Sequence, residues 1–466
     1  MPVIILVADG ARPDTLAAAM EGGSLPALAR LRAEGGLFTI SSTFPSVTGP
    51  AYAPFLLGRY PGPIGLPGLR WFDRGRTVAR GFGSSRSYVG AEMRHVDRDL
   101  DPRAPTLFEL AGPSLAALNV IGRGLRTRDR IGRGPAFIAR AARTHFSGNV
   151  RGWLALDRDI GRGLARRIRE EHPRFVFAAL TGIDKTSHAE GHASAAVLEA
   201  MRIVDETAAE IRRDAEREGR WDDTHLWVVS DHGHSPVTEH DDLATLLRSW
   251  GHRTISHPWT FSGGRDAAVM VSGNAMAHIY LELDRRVRPW WGDLEPRWTT
   301  LAEALLARPS VDLLLLPHSA TRCEVRAQGR GAAMVEVEGG SFSYRTTTGD
   351  PLGIGEHERL DDRAAYDACA ASDYPDALVQ IAHLAGAARS GEMILSAARG
   401  WDFRGRYEPI PHVSSHGALH RDHMLVPLLL NRPPRREPRR TVDVMPSALA
   451  ALGLAVPAGL NGESFL

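Results

Sequence analysis

Val3-Ile-Ile-Leu-Val-Ala-Asp-Gly-Ala-Arg-Pro-Asp14 decides how the rest of the chain is read. Its first six residues are apolar without interruption, the pattern of a central strand in a parallel sheet covered on both faces. The run breaks at Asp9-Gly10. Pro13 then opens a helix that the pattern carries to about Glu34, since proline is tolerated in a first turn. A carboxylate at the carboxyl end of such a strand lies where open α/β sheets place their ligands. Taken alone, Asp9 reads more simply as a turn residue or a helix cap.

Working outward, the same unit recurs. Leu37 to Ser42 is a second short strand, and Arg174 to Leu180 is another buried run. A helix from Asp157 to about His172 precedes that run, and a long helix from about Ala193 to Glu218 follows it. Thr224 to Ser230 and Met424 to Leu430 read as further strands, and Thr441 to Gly453 as a closing helix. Strands alternating with helices predict an α/β fold, a doubly wound, mostly parallel sheet with helices on both faces. Between Gly62 and Gly152 the glycine, proline and arginine content predicts loops over the site face with few short elements. After Ser235 the pattern changes. Val269 to Leu283, and Cys323 to Arg345 with a Gly339-Gly340 turn, predict strands and a hairpin, with helices near Leu301–Leu306 and Tyr374–Arg389. The expected organisation is a catalytic domain of residues 1–235 plus 412–466, with an inserted α+β subdomain over 236–411.

Composition sets limits on function. A chain of 466 residues exceeds the size at which one core usually stops growing. A net charge of +1 gives no electrostatic case for nucleic acid or a membrane surface. Cys323 and Cys369 are too few for a disulfide framework and read as structural thiols. The apolar run after Met1-Pro2 is too short for a signal core or a span. The chain therefore reads as cytoplasmic, unless a leader has been removed.

The chemistry gathers at the ends of these strands. Ser41-Ser-Thr-Phe-Pro-Ser-Val-Thr-Gly-Pro-Ala-Tyr-Ala-Pro-Phe-Leu-Leu-Gly-Arg-Tyr-Pro61 predicts a helix entered at Thr48, whose hydroxyl could cap it. A hydroxyl there also faces partial positive charge, which suits an anion or a phosphoryl group. Asp184 and His188, four residues apart, reach one ion from a single helical turn. Asp231-His232 can do so at a strand-to-loop corner, and His416 stands just before a strand. Each of these alone has a plain structural explanation. Together they abut strands of one sheet, all expected to present their carboxyl ends to the same side, and seven ligands suffice for two tetrahedral metal sites. An N/O donor set without thiolate suits zinc first, with manganese or iron as alternatives.

Asp9-Gly-Ala-Arg-Pro-Asp14, Thr48-Gly-Pro-Ala with Gly58-Arg-Tyr-Pro ten residues on, and Gly462-Glu-Ser-Phe resemble segments of the alkaline phosphatase superfamily. The likeness is to its type I phosphodiesterase/nucleotide pyrophosphatase branch. It implies an alkaline phosphatase-like fold and a two-metal hydrolase that cleaves phosphodiester or nucleotide pyrophosphate bonds through a phosphothreonine on Thr48. It further implies that Asp9, Thr48, Asp231 and His232 hold one metal, and Asp184, His188 and His416 the other. The implied partner is a small-molecule phosphate ester.

Two departures matter. That branch has an Asn donor three residues after the nucleophile, and here the position is Ala51. Loss of such a donor costs about 3 kcal/mol of transition-state stabilisation unless replaced. Tyr52 and Lys185, the only lysine in the chain, are the candidate replacements for substrate binding. Thr48 also cannot become formylglycine, which disfavours sulfate ester hydrolysis. Phosphomonoester or phosphonate hydrolysis on the same metal core, or phosphoryl return to substrate by a mutase, are the alternative activities.

Overall fold

The computed structural model describes residues 1–75, 85–257, 265–405 and 412–466. Seven strands form the sheet that carries the site: β1 (Val3–Ala8), β2 (Leu37–Ser41), β3 (Ser114–Ala117), β4 (Arg130–Ile131), β5 (Phe175–Leu180), β6 (His225–Val229) and β7 (Leu425–Leu430). Their order is β2-β7-β6-β1-β5-β3-β4. β1 is central and parallel to both neighbours, Val3 pairing with Phe175 on one side and His225 on the other.

The uninterrupted apolar run of β1 has a simple cause. Alternate side chains leave opposite faces of a strand, and both faces here are covered. Val3, Ile5 and Val7 pack with Phe175, Phe177 and Trp227 in one core, while Ile4, Leu6 and Ala8 pack with Val176, Ala178 and Leu226 in another. On the second face lie helices α1 (Pro13–Glu21), α2 (Pro26–Gly35), α4 (Val150–Glu171) and α6 (Ala195–Arg217). The first face takes the short helix α3 (Ala53–Leu57) and the closing helix Val444–Ala451. The mixed α/β architecture, a central sheet between helices, is as the sequence predicts.

Four local expectations need correction. The helix expected from Pro13 to Glu34 is two, α1 and α2, broken where Gly22-Gly-Ser-Leu25 turns the chain. The helix expected from Asp157 begins at Val150, where Asn149 accepts a hydrogen bond from Gly152 N. β7 runs antiparallel to β6, so its amino end, not its carboxyl end, faces the site. Residues 62–152 are not only loop: β3 and β4 extend the sheet. Four and two residues long, they carry too little pattern to be recognised from sequence.

A second sheet of nine strands uses residues from Thr254 to Ala397. It is largely antiparallel and packs helices Trp291–Leu306 and Ala377–Ala385 against its faces. Ser235–His240 joins it to the first unit by pairing with Ser414–Ser415 on one side and Gly400–Asp402 on the other. Among the described residues, no helix is long and apolar enough to cross a membrane.

Candidate metal centre and nucleophile

Asp9 follows the last residue of β1, and Asp231 and His232 follow β6, so parallel neighbours deliver all three to one edge of the sheet. Thr48 reaches the same edge from the turn between β2 and α3. The turn tightens into a 3-10 segment at Pro50–Tyr52, entered without any side-chain cap. The expected capping role of Thr48 is thus corrected. Its Oγ1 donates to Asp9 Oδ1 at 3.0 Å and lies 3.0 Å from His232 Nε2. His232 Nε2 is also 3.4 Å from Asp9 Oδ1 and 3.5 Å from Asp231 Oδ2. Its Nδ1–H donates to Gly233 O at 3.1 Å, which turns Nε2 toward the carboxylates. Gly233 is required here, because a Cβ would stand 2.2 Å from Asp422 O.

Asp184 and His188 lie one turn apart on α5 (Gly182–Glu190), which starts directly after β5. His188 Nε2 is 3.2 Å from Asp184 Oδ1, and His416 Nε2 is 3.4 Å from the same oxygen. Main-chain carbonyls fix both rings: Nδ1 of His188 donates to Ser414 O at 2.9 Å and Nδ1 of His416 to Ser46 O at 3.0 Å. The two clusters touch through His232 and His416, stacked with centroids 3.6 Å apart and planes within 6°.

The electrostatics follow from burial. Asp9, Asp231 and His232 are essentially inaccessible. Burial and the neighbouring Asp9 charge push the Asp231 carboxyl up to about 7, and its Oδ2 has no hydrogen-bond partner. Burial opposes charge on His232, yet Asp231 and Asp9 raise it to about 9. Burial likewise opposes charge on Asp184, but the adjacent Lys185 ammonium holds it well below the usual carboxylate range. His416 is lowered to about 3 by burial and by His232, so its imidazole is neutral. Buried carboxylates that draw a proton onto His232, beside the neutral imidazole of His416, form the donor set a divalent cation takes up in place of that proton.

The donor spacing agrees with that requirement. Tetrahedral bonds of about 2.0–2.1 Å give donor–donor edges of about 3.3 Å. The contacts above run from 3.0 to 3.5 Å in both clusters. Groups of Asp184, His232, His234 and His416, and of Asp9, Asp231 and His232, each place their ligand atoms within 4.8 Å of one another. The residues present therefore fit metal.

Of the two residues expected to touch substrate, Tyr52 lines the cavity with its hydroxyl already bonded to Asp9. It is buried, and its hydroxyl donates to Asp9 Oδ2 at 2.8 Å, which fixes that carboxylate. Lys185 Nζ lies 2.7 Å from Asp184 Oδ2, and its side chain stays about a quarter exposed on the cavity wall. Ala51 is fully buried in the 3-10 turn. Thr48, Asp184, His188 and His416 border a cavity of about 730 Å³. Its lining also includes Tyr88, Val89, Phe146, Val269, Val271 and Phe403.

Two residues at the site escaped the sequence reading. His234, at the centre of the second cluster, stands two positions after His232 in Ser230-Asp-His-Gly-His, so its signal was present. Asp157, on α4, accepts from Thr181 N at 3.2 Å and Gly182 N at 2.6 Å, and so caps α5 from another helix. Nothing local marks it.

Fold and cluster together define a metal-dependent phosphoric ester hydrolase of the alkaline phosphatase superfamily. The family model for type I phosphodiesterase/nucleotide pyrophosphatase matches residues 3–419, and the chain belongs to that family. No curated protein sequence matches it significantly. Solved structures with the same fold include phosphonoacetate hydrolase from Sinorhizobium meliloti in complex with phosphonoformate, with a TM-score of 0.59 and 17% identity over 97% of this chain and 96% of that one. Human ectonucleotide pyrophosphatase/phosphodiesterase 5 aligns with a TM-score of 0.60 and 14% identity, over 99% and 97% of the two chains. An inactive threonine-to-alanine variant of the murine enzyme, in complex with AMP, gives 0.57 and 15% over the same shares.

Proposed function

We propose that this enzyme cleaves phosphodiester or nucleotide pyrophosphate bonds by way of a phosphothreonine formed on Thr48. The observation that carries the reading is the setting of Thr48 Oγ1. It caps no helix, lies 3.0 Å from both Asp9 Oδ1 and His232 Nε2, and borders the cavity. Asp9, Thr48, Asp231 and His232 would hold one divalent ion and Asp184, His188 and His416 a second, zinc being preferred and manganese or iron the alternatives. Such ions, when bound, lower the pKa of a hydroxyl and offset charge on phosphoryl oxygens.

In the first half-reaction Thr48 Oγ1 attacks phosphorus in line. Its proton has an acceptor in Asp9 Oδ1, the bond to the leaving oxygen breaks, and the phosphoryl group remains on Thr48. In the second, water attacks the same phosphorus, the bond to Oγ1 breaks and the hydroxyl is restored. Tyr52 holds Asp9 for both steps, and Lys185 stands within the cavity to meet a phosphoryl oxygen.

The same reading takes residues 1–235 and 412–466 as the catalytic unit and 236–411 as a cover for the leaving-group side. It is supported by the second sheet falling wholly inside that range. Buried thiols at Cys323 and Cys369 suit a reducing compartment, and we place the enzyme in the cytoplasm on that ground.

A second reading, phosphomonoester or phosphonate hydrolysis, is favoured by Ala51, which supplies no donor to a phosphoryl oxygen. A mutase would share the first half-reaction and return the group to substrate. The test is a screen of p-nitrophenyl phosphate, its bis ester, a p-nitrophenyl ester of thymidine monophosphate and phosphonoacetate, with added zinc or manganese. The diesters should be turned over fastest, with acid-quenched label recovered on Thr48. A monoester or phosphonoacetate outpacing every diester would install the second reading instead.

A further inference from the structure

His234 has no part in the mechanism above, yet it is fully buried and its Nε2 stands 3.1 Å from Asp184 Oδ1. That contact is shorter than those His188 and His416 make to the same oxygen, at 3.2 and 3.4 Å. The three rings surround it almost symmetrically. Centroids are 4.9 Å apart for His188 and His234, 5.1 Å for His188 and His416, and 5.1 Å for His234 and His416.

Tautomers decide what these contacts are. A carbonyl oxygen only accepts, so His188 and His416 carry their protons on Nδ1 and turn Nε2 lone pairs toward Asp184. For His234 the partner is Ser414 Oγ, 3.3 Å from Nδ1. That hydroxyl has one proton, which it donates to Ser235 O at 2.9 Å. Toward His234 it can only accept, so this ring too is protonated on Nδ1 and presents a lone pair at Nε2. Three lone pairs then turn toward one carboxylate oxygen, each nitrogen 3.1–3.4 Å from it with no proton between. Such an arrangement is repulsive unless a cation lies among the four, and its three contacts match tetrahedral edges of about 3.3 Å.

We propose that His234 is a fourth protein ligand of the cation held by Asp184, His188 and His416. The proposal rests on the two-cation reading above and deepens it. The second ion has a complete shell of protein donors, so a substrate oxygen reaches it only as a fifth ligand. The first ion keeps Thr48 Oγ1 among its four. Two features of the fold hold His234 in register. Arg12 Nη1 donates to its carbonyl at 2.5 Å. Gly10, at φ +80°, lets the chain pass where a Cβ would be 3.0 Å from His234 Nε2.

The experiment is cobalt(II) titration of the full-length apoprotein, following visible absorption and bound metal, for the wild type and for His234→Ala and His234→Asn. Circular dichroism confirms that each is folded. The wild type should bind two ions with the intense absorption of four-coordinate cobalt(II). Each variant should bind one of them at least tenfold more weakly, with its absorptivity reduced, and for His234→Ala added imidazole should restore it. Unchanged affinity, or weaker binding with an unchanged spectrum, would overturn the assignment, because His234 would then only orient Asp184. Weak absorption from one ion in the wild type itself would overturn it without recourse to a variant. A wild type that binds no cobalt(II) would instead overturn the two-cation reading beneath it.

Discussion

Thr48 Oγ1 and Tyr52 OH both end on Asp9, one on each carboxylate oxygen. Neither hydroxyl caps a helix, which separates chemistry from stability at this position. Thr48→Ala loses no cap bond, so its unfolding free energy should stay within about 1 kcal/mol of wild type. Its turnover should fall about 10³-fold or more, while Thr48→Ser keeps much of it. Wild-type turnover in Thr48→Ala, or parallel unfolding of both variants, would make the hydroxyl structural. Tyr52→Phe leaves Asp9 Oδ2 buried without its donor. It should weaken metal binding about 10–100-fold by chelator competition, as loss of a ligand's orienting partner does, with the threonine hydroxyl untouched.

Helix α5 carries Asp184 and His188, and its start is fixed from outside by Asp157. In Asp157→Ala the buried Gly182 amide and the half-buried Thr181 amide would lose their acceptor, which should cost about 1–3 kcal/mol in denaturant unfolding. Asp157 also titrates. Burial, only partly opposed by those two amides, pushes its carboxyl up to about 7 in the fold. An unfolded Asp releases its proton near the ordinary value of about 3.9. Between those limits the folded chain binds more protons than the unfolded one, so this group makes the fold less stable as pH rises from about 4 to about 7. In Asp157→Asn that component should vanish from a plot of unfolding free energy against pH. A plot that superimposes on wild type, apart from a constant offset, would show that Asp157 does not titrate in this window.

At the scale of the molecule, the cavity lies between loops of the first unit and the second sheet, and its far walls are largely apolar. A diester has fewer charged oxygens than a monoester and draws less on divalent ions, so it depends more on binding of its second group. A minimal methyl diester should therefore be a poor substrate and a diester with a large apolar leaving group a much better one. The difference should appear in kcat as well as KM, since remote binding energy acts at the reacting centre. Phe146, three-quarters exposed and part of the cavity lining, gives a clean probe. Phe146→Ala should raise KM for aryl diesters several-fold without changing the melting temperature. Equal kcat/KM for methyl and aryl diesters would remove the leaving group from the account.

By itself the sequence determined what periodicity controls. β1, β5 and β6 had to be doubly covered strands, because unbroken apolar runs cannot face water on either side. Their carboxyl ends had to present Asp9, Asp231 and His232. The four-residue spacing of Asp184 and His188 placed both on one helix face. Only the tertiary structure decided what depends on partners remote in the chain. It set the antiparallel course of β7, the inclusion of the short strands β3 and β4, and the break between α1 and α2. It also turned Thr48 away from its helix and toward Asp9, and it brought Ser414 against both His188 and His234. A side chain just past a strand end has no periodicity to aim it. Its direction is set by hydrogen bonds from segments up to a few hundred residues away, and those contacts come into being only when the sheet closes.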